Sequence, residues 1–142
     1  MRKVADILSR KGRHVESVEP ELTVIEALRL MADKNIGSVA VVHNERFVGL
    51  MTERDYSRKV ILKGRSSNET TVGEIMTSDY PSVLQNDSIE YCMQLMSSGN
   101  LRYLPVIEQD KLAGIISIND VVTETILTQK ETIEHLQNYI HS

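Results

Sequence analysis

A seven-residue corner that occurs twice constrains this chain to fold as two similar halves. Gly49-Leu-Met-Thr-Glu-Arg-Asp55 returns as Gly114-Ile-Ile-Ser-Ile-Asn-Asp120, an offset of 65 (114 − 49). Carried backwards, the offset holds without a gap to Thr23 and Ser88. Leu30 and Met31 fall on Leu95 and Met96, Asn35 on Asn100, and Val41 on Val106. Val24, Ile36, Val39 and Phe47 match Ile89, Leu101, Leu104 and Leu112, so hydrophobic class is kept where burial is expected. The lead-in Val4-Ala-Asp-Ile7 matches Val72-Gly-Glu-Ile75. Units of about 60 residues are longer than most solenoid repeats, and two copies suggest a closed pseudo-twofold pair.

Each unit reads the same way. A short helix opens it (Val4–Leu8; Val72–Met76), followed by an extended stretch (His14–Val18; Ser82–Leu84). An amphipathic helix comes next, with Val24, Leu28 and Met31 on one face and Ile89, Met93 and Met96 on its counterpart. Thr23 and Ser88 suit its N-terminus. Two strands follow, Val39–His43 with Phe47–Met51 and Leu104–Glu108 with Leu112–Ser117. The polar runs 43–46 and 108–111 supply the turns. A last helix begins at Thr52 or Ser117. The fold class is therefore α/β, in the order β-α-β-β-α twice. The first repeat spans residues 1–62, a Ser-, Thr- and charge-rich linker 63–71, and the second repeat with a C-terminal helix 72–142.

Composition narrows the function classes. Hydrophobic residues reach 41% but aromatics only 4%, so Val, Ile, Leu and Met must fill the core. The net charge of −4, with mixed signs, argues against a nucleic-acid binder. No apolar run approaches the roughly 20 residues that span a bilayer. Met1 to Arg13 carries Asp6 inside its only apolar patch and does not read as a signal peptide. Cys92 is the single cysteine, which excludes an internal disulfide. A cytoplasmic protein is the expectation.

The corners carry the chemistry. Gly49 and Gly114 lack Cβ, so another group can approach the backbone. Thr52 and Ser117 sit where a helix begins, and helix N-termini present unpaired N–H groups suited to a phosphate. Asp55 and Asp120 lie one turn on, and a carboxylate can accept both hydroxyls of a ribose. Arg54 adds a charged fork beside the first corner, where the second has Asn119. The same spacing, Ser or Thr followed three residues later by an acid, is also the capping box of a helix start. A cap and an anion site use the same helix end, so both readings stand.

The two-unit pattern, with G-x-[hydrophobic]-[ST]-x-x-D closing each unit, resembles the CBS domain family. Arg102-Tyr-Leu-Pro-Val106 resembles that family's entry into the second strand. Met51-Thr-Glu-Arg-Asp-Tyr56, Lys63-Gly-Arg65 and Glu74-Ile-Met-Thr77 resemble a stand-alone bacterial subgroup, and the likeness covers essentially the whole chain. It implies a tandem CBS pair, or Bateman module, with a cleft for an adenosine nucleotide in each repeat. By that resemblance Thr52 and Asp55 form one site, and Ser117 and Asp120 the other; Arg54 stands beside the first, and Asn119 replaces it beside the second, removing one cation. Adenine would pack against the first strand of each unit, at Tyr80 and Pro81 in the second and Val15 to Val18 in the first. Arg102 would reach the phosphates. Gly37-Ser38 aligns with Arg102-Tyr103, so the two sites are not equivalent.

The implied function is regulatory sensing of an adenine nucleotide: AMP, ADP, ATP, NAD(H) or an S-adenosyl compound. No cofactor and no catalytic residue are expected. The alternatives are a structural dimerisation module with degenerate pockets and an enzyme acting on a nucleotide, for which no acid, base or metal cluster is visible. Cys92, aligned with Ala27, reads as a small packing residue. His14, His43, His135 and His141 show no metal spacing. The basic run Arg58, Lys59, Lys63 and Arg65 reads as a solvated face. Val122, Ile126, Ile133, Leu136 and Ile140 keep helical spacing to the chain end, which points to a homodimer through that helix. No nucleic-acid or membrane partner is expected.

Overall fold

In the computed structural model, which describes residues 2–141, the elements run α1 (Val4–Lys11), β1 (Ser17–Val18), α2 (Val24–Lys34), β2 (Ser38–His43), β3 (Arg46–Thr52), α3 (Glu53–Tyr56), α4 (Val72–Ile75), α5 (Ile89–Gly99), β4 (Tyr103–Glu108), β5 (Lys111–Ser117) and α6 (Ile118–His141). α3 continues directly into a π-helical turn over Ser57–Ile61.

Local chemistry fixes the paired elements. The Thr23 hydroxyl accepts from Glu26 N–H and the Ser88 hydroxyl from Tyr91 N–H, so α2 and α5 start at equivalent caps. Both end at an asparagine in the left-handed region, Asn35 with φ 54° and Asn100 with φ 53°. Val24, Ala27 and Met31 are buried on α2, and Ile89, Cys92 and Met96 on α5. Ala27 and Cys92 take the same small central position, both fully buried. Met93, expected on the buried face, is instead 43% exposed, because Cys92 takes the inward place beside it. β2 and β3 are antiparallel, as are β4 and β5, and each hairpin shifts register at the same point, Val41/Val42 and Val106/Ile107. Asn44 and Glu45, and Gln109 and Asp110, all have positive φ, the backbone of the tight turn whose twist suits paired strands.

The opening strands are shorter than the sequence suggested. Of His14–Val18 only Ser17–Val18 pairs, parallel to Ala40–Val41, and of Ser82–Leu84 only Val83 bridges, to Val106. Pro81 has no N–H to extend the second ladder.

Each opening helix packs on the core of the other unit. Val4, Ile7 and Leu8 of α1 pack into the core of the second repeat, against Val83, Ile89, Leu104 and Ile116. Val72 and Ile75 of α4 pack into the core of the first, against Val24, Val39 and Met51. Each fully buried aliphatic side chain contributes roughly 1.5–3 kcal/mol, so this exchange locks the halves together. It also accounts for the corner glycines. A Cβ on Gly114 would lie 2.6 Å from Leu8 Cδ2, and one on Gly49 would lie 2.8 Å from Met76 Sδ and 3.0 Å from the Thr77 carbonyl. The close approach is made by the exchanged segments.

Residues 63–71 run tightly over α2. Val24 N–H donates to the Thr70 carbonyl at 2.8 Å and Ile25 N–H to the Ser67 carbonyl at 3.0 Å, which satisfies donors that the helix start leaves open. At the other end α6 buries Val121 and Glu124, whereas its residues 131–141 are all exposed. Glu124 is fully buried and accepts from Arg10 Nε at 2.7 Å and Arg2 Nη1 at 3.1 Å, tying α1 to α6. Among the described residues no helix is long and apolar enough to cross a membrane.

Candidate functional site

The first corner forms one wall of a cavity of about 770 Å³ between the repeats. Thr52, Glu53, Arg54 and Asp55 line it from the end of β3 and the start of α3, with Arg58 and Lys59 from the π-helical turn. Thr77, Asp79, Tyr80 and Pro81 line it from the segment after α4. Leu101, Arg102 and Tyr103 complete it from the entry to β4, facing Gly37. Residues 37 and 102 are pseudo-twofold equivalents, so this cleft lies where the two repeats meet.

Asp55 is the most engaged polar group in it. Its Oδ2 accepts from Thr52 N–H at 2.9 Å and from the Thr52 hydroxyl at 3.2 Å, and its own N–H donates to Thr52 Oγ1 at 3.1 Å. The expected capping box is therefore formed. Its Oδ1 accepts from the Thr77 hydroxyl at 3.0 Å and lies 3.0 Å from Lys59 Nζ. Lys59 also donates to the Ile75 carbonyl at 2.9 Å. Arg54 Nη1 donates to the Asn100 carbonyl at 2.6 Å, across the repeat boundary. Arg58 and Arg102 have no hydrogen-bonded or ion-paired side-chain partner among the described residues, which leaves two cationic forks directed by neither acid nor carbonyl. Burial holds the Tyr80 phenol above its ordinary value of 10.0, with the nearby Asp55 carboxylate adding to the shift, and burial likewise raises Tyr103. Both remain neutral aromatic faces with a hydroxyl to offer.

The second corner is built alike but occupied differently. Ser117 N–H donates to Asp120 Oδ2 at 2.8 Å, and Asp120 N–H to the Ser117 hydroxyl at 3.1 Å. The same Oδ2 lies 2.8 Å from Lys11 Nζ, which reaches over from the end of α1 and also donates to the Ile115 carbonyl. Burial pushes the Asp120 carboxyl up, but the hydrogen bonds from Lys11 and Ser117 outweigh it and hold the group below its ordinary 3.8. Asn119 is exposed beside it.

Six of the residues nominated from sequence, Thr52, Arg54, Asp55, Tyr80, Pro81 and Arg102, line one cleft. Their grouping differs from the expectation. The resemblance implies Tyr80 and Pro81 beside Ser117 and Asp120 of their own unit, yet they face the first corner, because the exchange of opening segments carries residues 76–81 across the boundary. Val18 is buried in the first core, paired with Val41, so its side chain faces no cleft, and Val15 is half-buried. Thr77, Asp79, Arg58, Lys59 and Tyr103 were not nominated. Arg58 and Lys59 were read as solvated surface, and the signal for them was their spacing of three and four residues from Asp55 on one helical face. Thr77 and Asp79 carried no such signal. His43, which shows no metal spacing in the sequence, lies with Glu19 and Glu21 in a cluster whose ligand atoms are within 4.8 Å of one another, all three exposed. Cys92 is buried, and burial pushes its thiol up to about 11, so it is an unreactive packing residue at neutral pH.

Two α/β repeats that exchange their opening helices and meet at paired G-x-x-[ST]-x-x-D corners define a tandem CBS pair. The CBS domain family model matches residues 4–61 and 72–126, and the chain belongs to that family. It is 34% identical over 146 residues to the mitochondrial CBS domain-containing protein CBSX3 of Arabidopsis thaliana, covering 96% of this chain and 71% of that protein. Among solved structures it resembles a signal-transduction candidate with CBS domains from Burkholderia ambifaria, at 44% identity and a TM-score of 0.85, over 90% of this chain and 96% of that one. It also resembles the CBS-domain containing protein ATU1752 from Agrobacterium tumefaciens, at 36% identity and a TM-score of 0.82, over 87% and 99% of the two chains.

Proposed function

We propose that this chain is a regulatory module that binds an adenine nucleotide in the cleft at the first corner, without turning it over. The observation that carries this reading is the convergence of Thr52, Asp55, Tyr80 and Arg102, from both repeats, on one cavity. Asp55 has a carboxylate that ribose hydroxyls can take over from Thr77 or Lys59, Tyr80 and Pro81 offer a flat apolar face for a base, and Arg58 and Arg102 are unpaired cations suited to phosphate. The second corner, with Ser117 and Asp120, is a weaker site on this reading, because Tyr80, Pro81 and Arg102 converge on the first corner instead. The ligand is AMP, ADP, ATP, NAD(H) or an S-adenosyl compound. A cytoplasmic setting fits the single buried thiol. Ligand binding shifts the packing of the two repeats on each other, and through it the contacts of a regulated partner or of a second copy.

One observation favours a rival reading, a structural dimerisation module: both acids already cap their own helix starts through Oδ2. A thermal-shift titration separates the two. At a ligand concentration 100 times Kd, stabilisation is about 2.7 kcal/mol. Adenine nucleotides raise Tm on the sensing reading, guanine and pyrimidine nucleotides do so less, and the bound nucleotide is recovered unchanged. No shift with any adenine compound at millimolar concentration leaves the structural module. Conversion of the nucleotide that survives repurification leaves an enzyme.

A further inference from the structure

The two corners differ in where their counter-ions come from. Lys59 sits four residues after Asp55, in the π-helical turn, and its ammonium is 3.0 Å from Asp55 Oδ1. The pseudo-equivalent of Lys59, at the repeat offset of 65, is Glu124, an acid in place of the cation, buried and held by Arg2 and Arg10. Asp120 takes its counter-ion from α1 instead, through Lys11. Only the first cleft therefore carries a cation on the same helix as its acid.

Asp55 has no free oxygen for a ribose. Oδ2 is held by Thr52 and Oδ1 by Thr77 and Lys59. A ribose hydroxyl that donates to Oδ1 must take the place of the Thr77 hydroxyl or of Lys59. Lys59 does not leave the wall when this happens, because the Ile75 carbonyl still anchors it at 2.9 Å. Where Lys59 is the group displaced, its ammonium loses its direct contact with the carboxylate and is free to turn toward a ligand's phosphate, in a cleft that already holds the unpaired Arg58 and Arg102.

We propose that Lys59 is a specificity-determining counter-ion of the first cleft. It competes with ribose for Asp55 in the empty site and passes its charge to the ligand's phosphate in the filled one, so that the cleft selects phosphorylated adenine nucleosides over adenosine. This rests on the adenine-nucleotide reading above.

The test is titration calorimetry of ATP, AMP and adenosine against the full chain, Lys59→Met and Lys59→Arg, with denaturant melts to establish that each variant is folded. The parent binds the phosphorylated compounds at least tenfold more tightly than adenosine. In Lys59→Met, ATP and AMP weaken by about tenfold or more while adenosine binds as tightly as before or more tightly, so the preference collapses. Lys59→Arg restores it. A Lys59→Met chain that loses ATP and adenosine by the same factor, or that keeps the parent's preference, overturns the proposal while leaving the adenine reading intact. Absence of binding by all three compounds overturns both.

Discussion

The hydroxyl of Tyr103 fills the space that a side chain at position 37 would need: a Cβ on Gly37 would lie 2.1 Å from it and 3.1 Å from the ring carbon that bears it. The two residues come from different repeats and meet at the boundary where the first cleft opens. Gly37→Ala forces the partly exposed Tyr103 side chain aside, at a cost of about 1 kcal/mol, the low end for an overpacked contact. Tyr103→Phe removes the clashing oxygen, so it recovers part of that loss in the double variant. Denaturant melts of the two single variants and the double variant measure the coupling. Strict additivity means that the contact is not made.

Asp55→Ala and Asp120→Ala separate ligand binding from helix capping. An Asp that accepts ribose hydroxyls contributes charge-assisted hydrogen bonds of roughly 1.5–3 kcal/mol, and its loss lowers affinity by about tenfold or more. An Asp that only caps costs about 1 kcal/mol of stability and leaves affinity alone. Both corners are capping boxes, so each variant loses some stability, and the affinity measured by calorimetry is the deciding quantity. The first corner is expected to show the larger loss of affinity. A double variant that binds like the parent leaves neither corner with a binding role.

Glu124 predicts an asymmetry between its own replacement and that of its partners. The carboxylate is fully buried, whereas Arg2 and Arg10 are 26% and 40% exposed. Replacing both arginines by alanine strands a buried charge, and breaking a buried pair from one side costs about 3–5 kcal/mol. Glu124→Leu leaves Arg10 open to water and Arg2 still paired with Glu131, so it is much milder. Urea melts of the two variants rank them, and an equal loss contradicts the asymmetry.

The Lys11–Asp120 pair gives a stability contribution with a defined pH limb. The Asp120 carboxyl is held below its ordinary value, since the hydrogen bonds from Lys11 and Ser117 outweigh the opposing effect of burial. A group depressed in the folded state stabilises fully above its unfolded value of about 3.8 and loses that stabilisation as pH falls through its lowered folded value. Lys11→Met raises the Asp120 carboxyl and moves the limb to higher pH. The carboxyl-carbon NMR titration of Asp120 in the parent and in Lys11→Met reads this directly. An unchanged titration rules out the pair.

The distal part of α6 presents Ile133, Leu136 and Ile140 at 54%, 58% and 75% exposure on one helical face. On the homodimer reading this face is covered by a second copy, and truncation after Lys130 weakens association or solubility. Sedimentation at micromolar concentration measures it, and a monomeric full-length chain contradicts it.

The repeat, the helix starts and the capping boxes, set by local spacing, were legible in the residues themselves, whereas spacing alone put Met93 on the wrong face of its helix. The 65-residue offset fixed two equivalent repeats, Thr23 and Ser88 fixed two helix starts, and the Thr52–Asp55 and Ser117–Asp120 spacings fixed two capping boxes, because backbone donors and side-chain periods act within a few residues of one another. The tertiary structure decided which repeat each opening helix completes, and with it the partner of every corner. Val4 and Leu8 bury in the second core and Val72 and Ile75 in the first, since each repeat lacks a cover for its own hydrophobic face and finds it on the other. That exchange carries Tyr80 and Pro81 to Asp55, delivers Lys11 to Asp120 and places Leu8 against Gly114. These contacts join residues far apart in the chain, where the free energy of burying apolar surface, and no rule of spacing, selects the pairing.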